Sequence, residues 1–184
     1  MYKSKFSNKS HCHSQSQYPE FNTENDENPI GLDRLDRKIL NLLQNNNLLT
    51  NLELADKIGL SPPPCLRRVK RLRALGIITH DVSIIDPFKV GHRLVVFVNI
   101  TLEKQREDLL ANFERKMLDH AEVLQCYFVS GDTDYFLIMH VSDMQHYHDF
   151  ARRVFANEPN IKVFRSSFCM NRVKYSTKIE ILEQ

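Results

Sequence analysis

The sequence predicts an α+β protein in two parts: an N-terminal winged helix-turn-helix followed by a C-terminal ferredoxin-like βαββαβ domain. Three observations predict it. Between residues 31 and 76, apolar residues recur at helical spacing in three short runs, with capping residues before the second and third and a glycine after each of those two. Residues 94–170 then alternate in the order strand, helix, strand, strand, helix, strand. Charge is unevenly spread: residues 1–30 carry three basic and four acidic groups, 31–88 nine and six, and 89–184 thirteen of each. The cationic surplus therefore lies in the helical part, where a nucleic-acid module is placed on other grounds.

Residues 1–30 are rich in Ser, Asn, Gln, Lys and Glu without a helical or strand period, and read as a disordered extension. Leu35, Ile39, Leu42 and Leu43 mark a first helix with Asp36 in its first turn, ending in Asn45-Asn46-Asn47. Thr50-Asn51-Leu52-Glu53 is a capping box, and Leu52, Ala55 and Ile58 are expected on the buried face of a short second helix that stops at Gly59. Ser61 caps a third helix, Pro62 sits where a missing N–H costs nothing, and Gly76 ends it. Ile77–Thr79 and Val82–Ile85, with His80-Asp81 between them, are expected to form a small wing, completing a domain over 31–85.

Asp86-Pro87 opens a hinge over 86–91, because the residue before proline avoids the helical region. The domain over 92–184 follows. Leu94–Leu102 reads as a strand; Leu109, Leu110, Phe113, Met117 and Leu118 mark a helix; Val123–Val129 and Tyr135–Val141 are strands around the turn Gly131-Asp132-Thr133-Asp134. Met144, Tyr147, Ala151, Val154 and Phe155 mark a second helix, Ile161–Met170 a fourth strand, and Val173–Ile181 a last extended piece. Two helices cover one face of such a sheet, so the other face is expected to pack against a second copy of the chain.

The third helix carries the densest basic run, Arg67-Arg68-Val69-Lys70-Arg71-Leu72-Arg73. A helical wheel gathers Cys65, Leu66, Val69 and Leu72 inward and sets Arg67, Lys70 and Arg71 opposite, with Arg68 and Arg73 on the flanks. An apolar back and a cationic front suit a recognition helix in the major groove of double-stranded DNA, with Ser61, Pro63 and Pro64 at its leading end.

Several function classes are excluded. At 42% hydrophobic and 26% charged residues the chain is neither collagen-like nor mostly disordered. Its apolar runs fall far short of the ~20 residues of a membrane-spanning helix, and its start lacks a signal-peptide core, which places it in the cytoplasm. Cys12, Cys65, Cys126 and Cys169 form no CxxC pair, and His11-Cys12-His13 offers too few ligands for a closed metal site. No Ser or Cys nucleophile pairs with His80 or His140, so no catalytic constellation is read.

Leu35-Asp36-Arg37-Lys38-Ile39-Leu40, Leu52-Glu53-Leu54-Ala55, Gly59-Leu60-Ser61-Pro62, Pro64-Cys65-Leu66-Arg67-Arg68-Val69 and Gly131-Asp132-Thr133-Asp134-Tyr135 together resemble the Lrp/AsnC family of transcription regulators, from about Leu32 to Ile181. The resemblance implies a winged DNA-binding domain and a ligand-sensing domain that builds dimers, possibly octamers. It also implies no cofactor but a small amino-acid effector, and nucleoid association when DNA is bound. Gly131, Asp132, Thr133, Asp134 and Tyr135 match the loop bordering the effector pocket between dimers, where Asp134 would pair with an ammonium group; Met144, Ser167, Phe168 and Cys169 match positions around it. Leu102-Glu103-Lys104-Gln105 and Arg165-Ser166-Ser167-Phe168 look like regulators of branched-chain amino-acid or keto-acid breakdown. Pro63 departs from the small or hydroxylated residue usual there. Two other readings share the architecture: an enzyme similar to siroheme decarboxylases, and a DNA-bridging protein without a ligand.

Overall fold

The first two helices of the first unit begin where a side chain replaces a missing backbone partner. The computed structural model describes residues 31–182; the expected N-terminal extension over 1–30, with its His11-Cys12-His13 cluster, lies outside them. Helix α1 spans Arg34–Asn45: Asp33 accepts from the Asp36 amide at 2.9 Å, and the Asp36 carboxylate accepts from the Asp33 amide at 3.2 Å. Helix α2, Asn51–Ile58, starts on the reciprocal Thr50–Glu53 box and ends at Gly59, whose φ of 75° is one that side chains rarely adopt. Helix α3, Pro62–Ala74, follows within three residues, and Asn51 Nδ2 donates to the Pro62 carbonyl at 2.9 Å, tying the starts of α2 and α3 together.

Ile39, Leu40, Leu54, Ala55, Ile58, Cys65, Val69 and Leu72 form the core of this unit. Two inward assignments are corrected. Leu52 is 68% exposed and Leu54 takes the buried place, because the inward arc of α2 runs 54, 55, 58; Leu66 is 41% exposed, at the edge of the arc set by Cys65, Val69 and Leu72. Residues 77–85 do not pair into the two expected wing strands: the Ile77 and Ile78 amides both donate to the Leu72 carbonyl, and Val82, Ile84 and Ile85 stay exposed. Two strands of three or four residues with no third partner are too short to hold a ladder of their own.

At the chain's end, residues 172–182 group with the helices in the structure. Asn41 Nδ2 donates to the Ile181 carbonyl at 2.8 Å; Gln44 donates to the Ile179 carbonyl at 3.1 Å and accepts from the Ile179 amide at 2.8 Å. The Ile181 side chain packs on the helical core. The last residues of this extended segment thus bond to α1 side chains instead of to a strand.

The second unit, residues 86–171, starts with a turn of 3₁₀ helix at Pro87–Val90 and builds a four-stranded antiparallel sheet. Its strands are β1 Leu94–Leu102, β2 Val123–Phe128, β3 Tyr135–Val141 and β4 Ile161–Phe168, in the order β2-β3-β1-β4. Helix α4, Glu107–Leu118, joins β1 to β2; helix α5, Met144–Phe150, continues through one π turn, Ala151–Phe155, toward β4. Val96, Val98, Ile100, Leu102, Leu137 and Met139 point to the helices and pack against Phe113, Met117, Phe150 and Phe155. The period of two sends Phe97, Phe136 and Ile138 to the other face, where Phe97 and Phe136 stack with centroids 6.0 Å apart. The βαββαβ plan is thus the observed one.

Ile181→Ala is expected to lower the stability of the helical unit by about 1–2 kcal/mol, because it removes a partly buried branched side chain from the core. Urea unfolding followed by circular dichroism measures it. An unchanged midpoint would mean that residues 172–182 only lie along α1.

Candidate nucleic-acid interface and effector cleft

The cationic front of α3 is sorted by one buried carboxylate. Asp36 is fully buried; it accepts from Arg68 Nη1 at 2.9 Å and from Arg71 Nη2, and Arg68 Nη1 also donates to Asp33 at 2.6 Å. The bonds to Asp33 and Asp36 hold the Arg68 guanidinium still more firmly in its charged form. Partial burial alone would raise the Asp33 carboxyl, but the Asp36 amide and Arg68 together outweigh it and hold it below the usual carboxylate range. On the other flank Arg73 pairs with Asp81 at 2.9 Å. Of the five expected cations, Arg68, Arg71 and Arg73 thus have carboxylate partners, whereas among the described residues no carboxylate pairs with Arg67 or Lys70. Those two share the exposed stripe of α3 with Pro63.

The leading end of α3 lacks the donors of an ordinary helix start. Positions 62, 63 and 64 are proline, and the first amide of the helix, on Cys65, is spent on the Ser61 carbonyl at 3.4 Å. Ser61 makes no side-chain cap bond, since the amides it would cap do not exist. Pro64 is half-buried, and Ser61 and Pro63 are exposed.

The expected effector residues divide among three places. Asp134 is buried: its carboxylate accepts from the Leu102 amide at 2.6 Å and from Gln105 Nε2, and its amide donates to the Ile100 carbonyl at 2.9 Å. It locks the 130–134 loop onto the end of β1, so both oxygens are already engaged. Tyr135 lies in the core with its hydroxyl donating to Glu114 at 2.7 Å; burial first, then Glu114, pushes its phenol pKa far up. Gly131 and Asp132 are exposed and Thr133 is half-buried. Ser167 faces the helix-free side of the sheet opposite Phe97, and the Cys169 amide donates to the Val95 carbonyl at 2.9 Å.

Met144 and Phe168 meet in an apolar cleft of about 330 Å³ between α5 and β4. Sequence reasoning missed the cleft's other contributors. Tyr147, one turn after Met144, sets its ring edge-on to Phe168 at 5.3 Å and its hydroxyl against Ser166 Oγ; Phe164 and Arg152 complete the lining. The signal was the spacing of Met144 and Tyr147, which reads equally as core packing. Of the described cysteines, Cys126 has its thiol pushed up to about 12 by burial and by Glu114, which leaves it unreactive at neutral pH.

Comparison with known proteins agrees with this geometry. Residues 32–79 match the family described as winged helix-turn-helix DNA-binding, and residues 95–179 match the Lrp/AsnC ligand binding domain. An uncharacterized HTH-type transcriptional regulator of Sinorhizobium fredii is 45% identical over 152 residues, covering 82% of this chain and 90% of that protein. The leucine-responsive regulatory protein of Escherichia coli is 37% identical over 150 residues, 82% of this chain and 92% of that one. A transcriptional regulator from Neisseria meningitidis, solved in complex with L-Met, superposes with a TM-score of 0.77 at 34% identity, covering 81% of this chain and 96% of that chain.

Asp36→Ala leaves Arg71 without its carboxylate, leaves Arg68 with Asp33 alone and removes half of the α1 capping box; stability is expected to fall by about 1–3 kcal/mol in urea unfolding, and Asp36→Asn, which keeps an acceptor, by less. The Asp33 contribution has a definite pH sense. Its folded pKa lies below the unfolded value near ~4, so its stabilisation is complete at neutral pH and drains away as pH falls from about 4 through the lower folded value. Thermal melts of the wild type and Asp33→Asn should therefore converge toward pH 3.

Proposed function

The chain belongs to the Lrp/AsnC family of transcriptional regulators, and on that premise we propose that it binds double-stranded DNA through α3 and changes its assembly or DNA geometry when a small amino acid binds. The family assignment makes it a regulator and not an enzyme. The observation that carries the DNA reading is the pair Arg67 and Lys70, left without carboxylate partners among the described residues while their neighbours are neutralised on α1 and by Asp81. Ser61, Pro63 and Pro64 lead the helix into the groove, while Arg68, Arg71 and Arg73 hold α3 in place and add to the field at the backbone.

The effector belongs at the second unit. A neighbour of this fold is solved with L-Met, and the cleft at Met144, Tyr147 and Phe168 has the size and apolar walls for a side chain of that kind. The 131–133 loop lies toward the opposite end of the sheet from Phe168 and would reach an effector in this cleft only from another copy of the chain, and Asp134 acts by holding that loop instead of meeting the ammonium group. Gln105 is engaged by Asp134, so the likeness of residues 102–105 to regulators of branched-chain breakdown does not narrow the effector.

The helix-free sheet face, with Phe97, Phe136 and Ile138, pairs two copies into a dimer, which presents two α3 helices to DNA as a symmetric site requires. Effector bound near an interface between dimers then shifts assembly, and with it the spacing of recognition helices. The protein works in the cytoplasm, where its DNA is.

Exchange of both Arg67 and Lys70 for Ala is expected to weaken binding to the DNA upstream of the protein's own gene at least tenfold at fixed salt, with sedimentation unchanged; Arg73→Ala is expected to change it by less than threefold. Full binding by the double variant would sink the assignment of α3. Titrating amino acids, L-Met first, should alter DNA retention or sedimentation, and Met144→Ala should weaken that response; a panel without effect would favour the DNA-bridging reading.

A further inference from the structure

We propose that the exposed stripe of α3 reads thymine by its methyl group, through Pro63 and Leu66 set beside Arg67 and Lys70. The inference deepens the DNA-binding reading and rests on it. Residues 63, 66, 67 and 70 recur at helical spacing, and all four are exposed, Leu66 at 41%. Two are apolar and two are cations without carboxylate partners among the described residues; the other cations of the helix are held by Asp33, Asp36 and Asp81.

The end of the helix strengthens this assignment. An ordinary helix start offers free amides to a phosphate. Here three successive prolines remove them, and the first remaining amide is bonded to Ser61. What α3 leads with is therefore C–H surface. Among the base edges of a major groove the one apolar feature is the C5 methyl of thymine, whereas guanine, adenine and cytosine present only donors and acceptors. A lone exposed leucine needs no explanation. A leucine next to a donor-free helix end, on the same stripe as two cations without carboxylate partners among the described residues, does: the stripe matches a thymine adjacent to a guanine or a phosphate held by Arg67 and Lys70.

The test uses the full-length protein and a site enriched from a random duplex pool. Each thymine of the site is replaced in turn by deoxyuridine, which removes the methyl and leaves base pairing intact. One or two positions in each half-site are expected to lose about fourfold in affinity per methyl. In Leu66→Ala and Pro63→Ala the thymine-to-uracil ratio at those positions should fall toward one, with the salt dependence of binding unchanged because no cation has been removed. Equal binding of thymine and uracil at every position, or an unaltered ratio in both variants, overturns the inference and leaves DNA binding intact. Failure of the pool to enrich any sequence overturns the sequence-specific reading itself, and this inference with it. The uridine series on the wild type needs no variant, so a misfolded variant does not spare the proposal.

Discussion

The recognition surface depends on one buried carboxylate. Asp36 has no exposed surface, yet it closes the cap of α1 and anchors Arg68 and Arg71 of α3. A buried charge is tolerated only when it is paired and hydrogen-bonded, so the α1–α3 crossing is restricted to geometries that bring both guanidiniums to it. That restriction decides which cations remain for DNA. The pinned pair lies on the α1 side of α3, Arg73 is drawn to the opposite flank by Asp81, and Arg67 and Lys70 are left in front. A helix that looks uniformly basic in sequence is, in three dimensions, a narrow cationic stripe with apolar neighbours.

The sheet unit follows the same logic with a different carboxylate. Asp134 sits where the turn before β3 meets the end of β1, and it neutralises its own burial by accepting from the Leu102 amide and from Gln105. Fixing that turn sets the start of β3 against β1, where Tyr135 faces Ile100 across the ladder. The alternation then delivers Leu137, Met139 and Val141 to the helices and Phe136 and Ile138 to the other face. At the opposite edge, β4 places Phe164, Ser166 and Phe168 under α5, and the π turn that extends α5 brings Ala151 and Arg152 to the same cleft. The cleft is therefore a product of strand period and of one extra residue per turn in a helix, not of a loop.

Local chemistry is what the sequence made legible. The Thr50–Glu53 box, the glycine after α2 and the prolines at the start of α3 depend on near neighbours, and the bounds of α2 follow from them, while β1 and β3 are legible from their own apolar runs. The Asp33–Asp36 cap escaped notice because its second acid is Asp, whose shorter side chain rarely closes the box. Choices that need tertiary information went astray: Leu52 against Leu54, Leu66 at the arc's edge, and a wing whose strands have no partner. Asp134 reads in sequence as a carboxylate free for an effector because the amide of Leu102, thirty-two positions earlier, gives no sign in sequence of where it points. The same holds for the neutralised arginines: Arg68 and Arg71 become anchors only through a carboxylate thirty-two and thirty-five positions away.

The placement of residues 172–182 has a mechanical consequence. The helical unit is joined to the sheet unit twice, once through the segment that enters β1 and once through the segment that leaves β4, because Ile179 and Ile181 are hydrogen-bonded to α1 while Phe168 closes the sheet. Ten residues lie between Phe168 and Ile179, and an extended chain covers at most about 3.4 Å per residue, so this second link cannot stretch much beyond ~35 Å. The side chains that tie the second link, Asn41 and Gln44, belong to α1, the same helix whose Asp36 holds α3. The segment after β4 and the recognition helix thus converge on α1, the one through hydrogen bonds to Asn41 and Gln44 and the other through the ion pairs of Asp36.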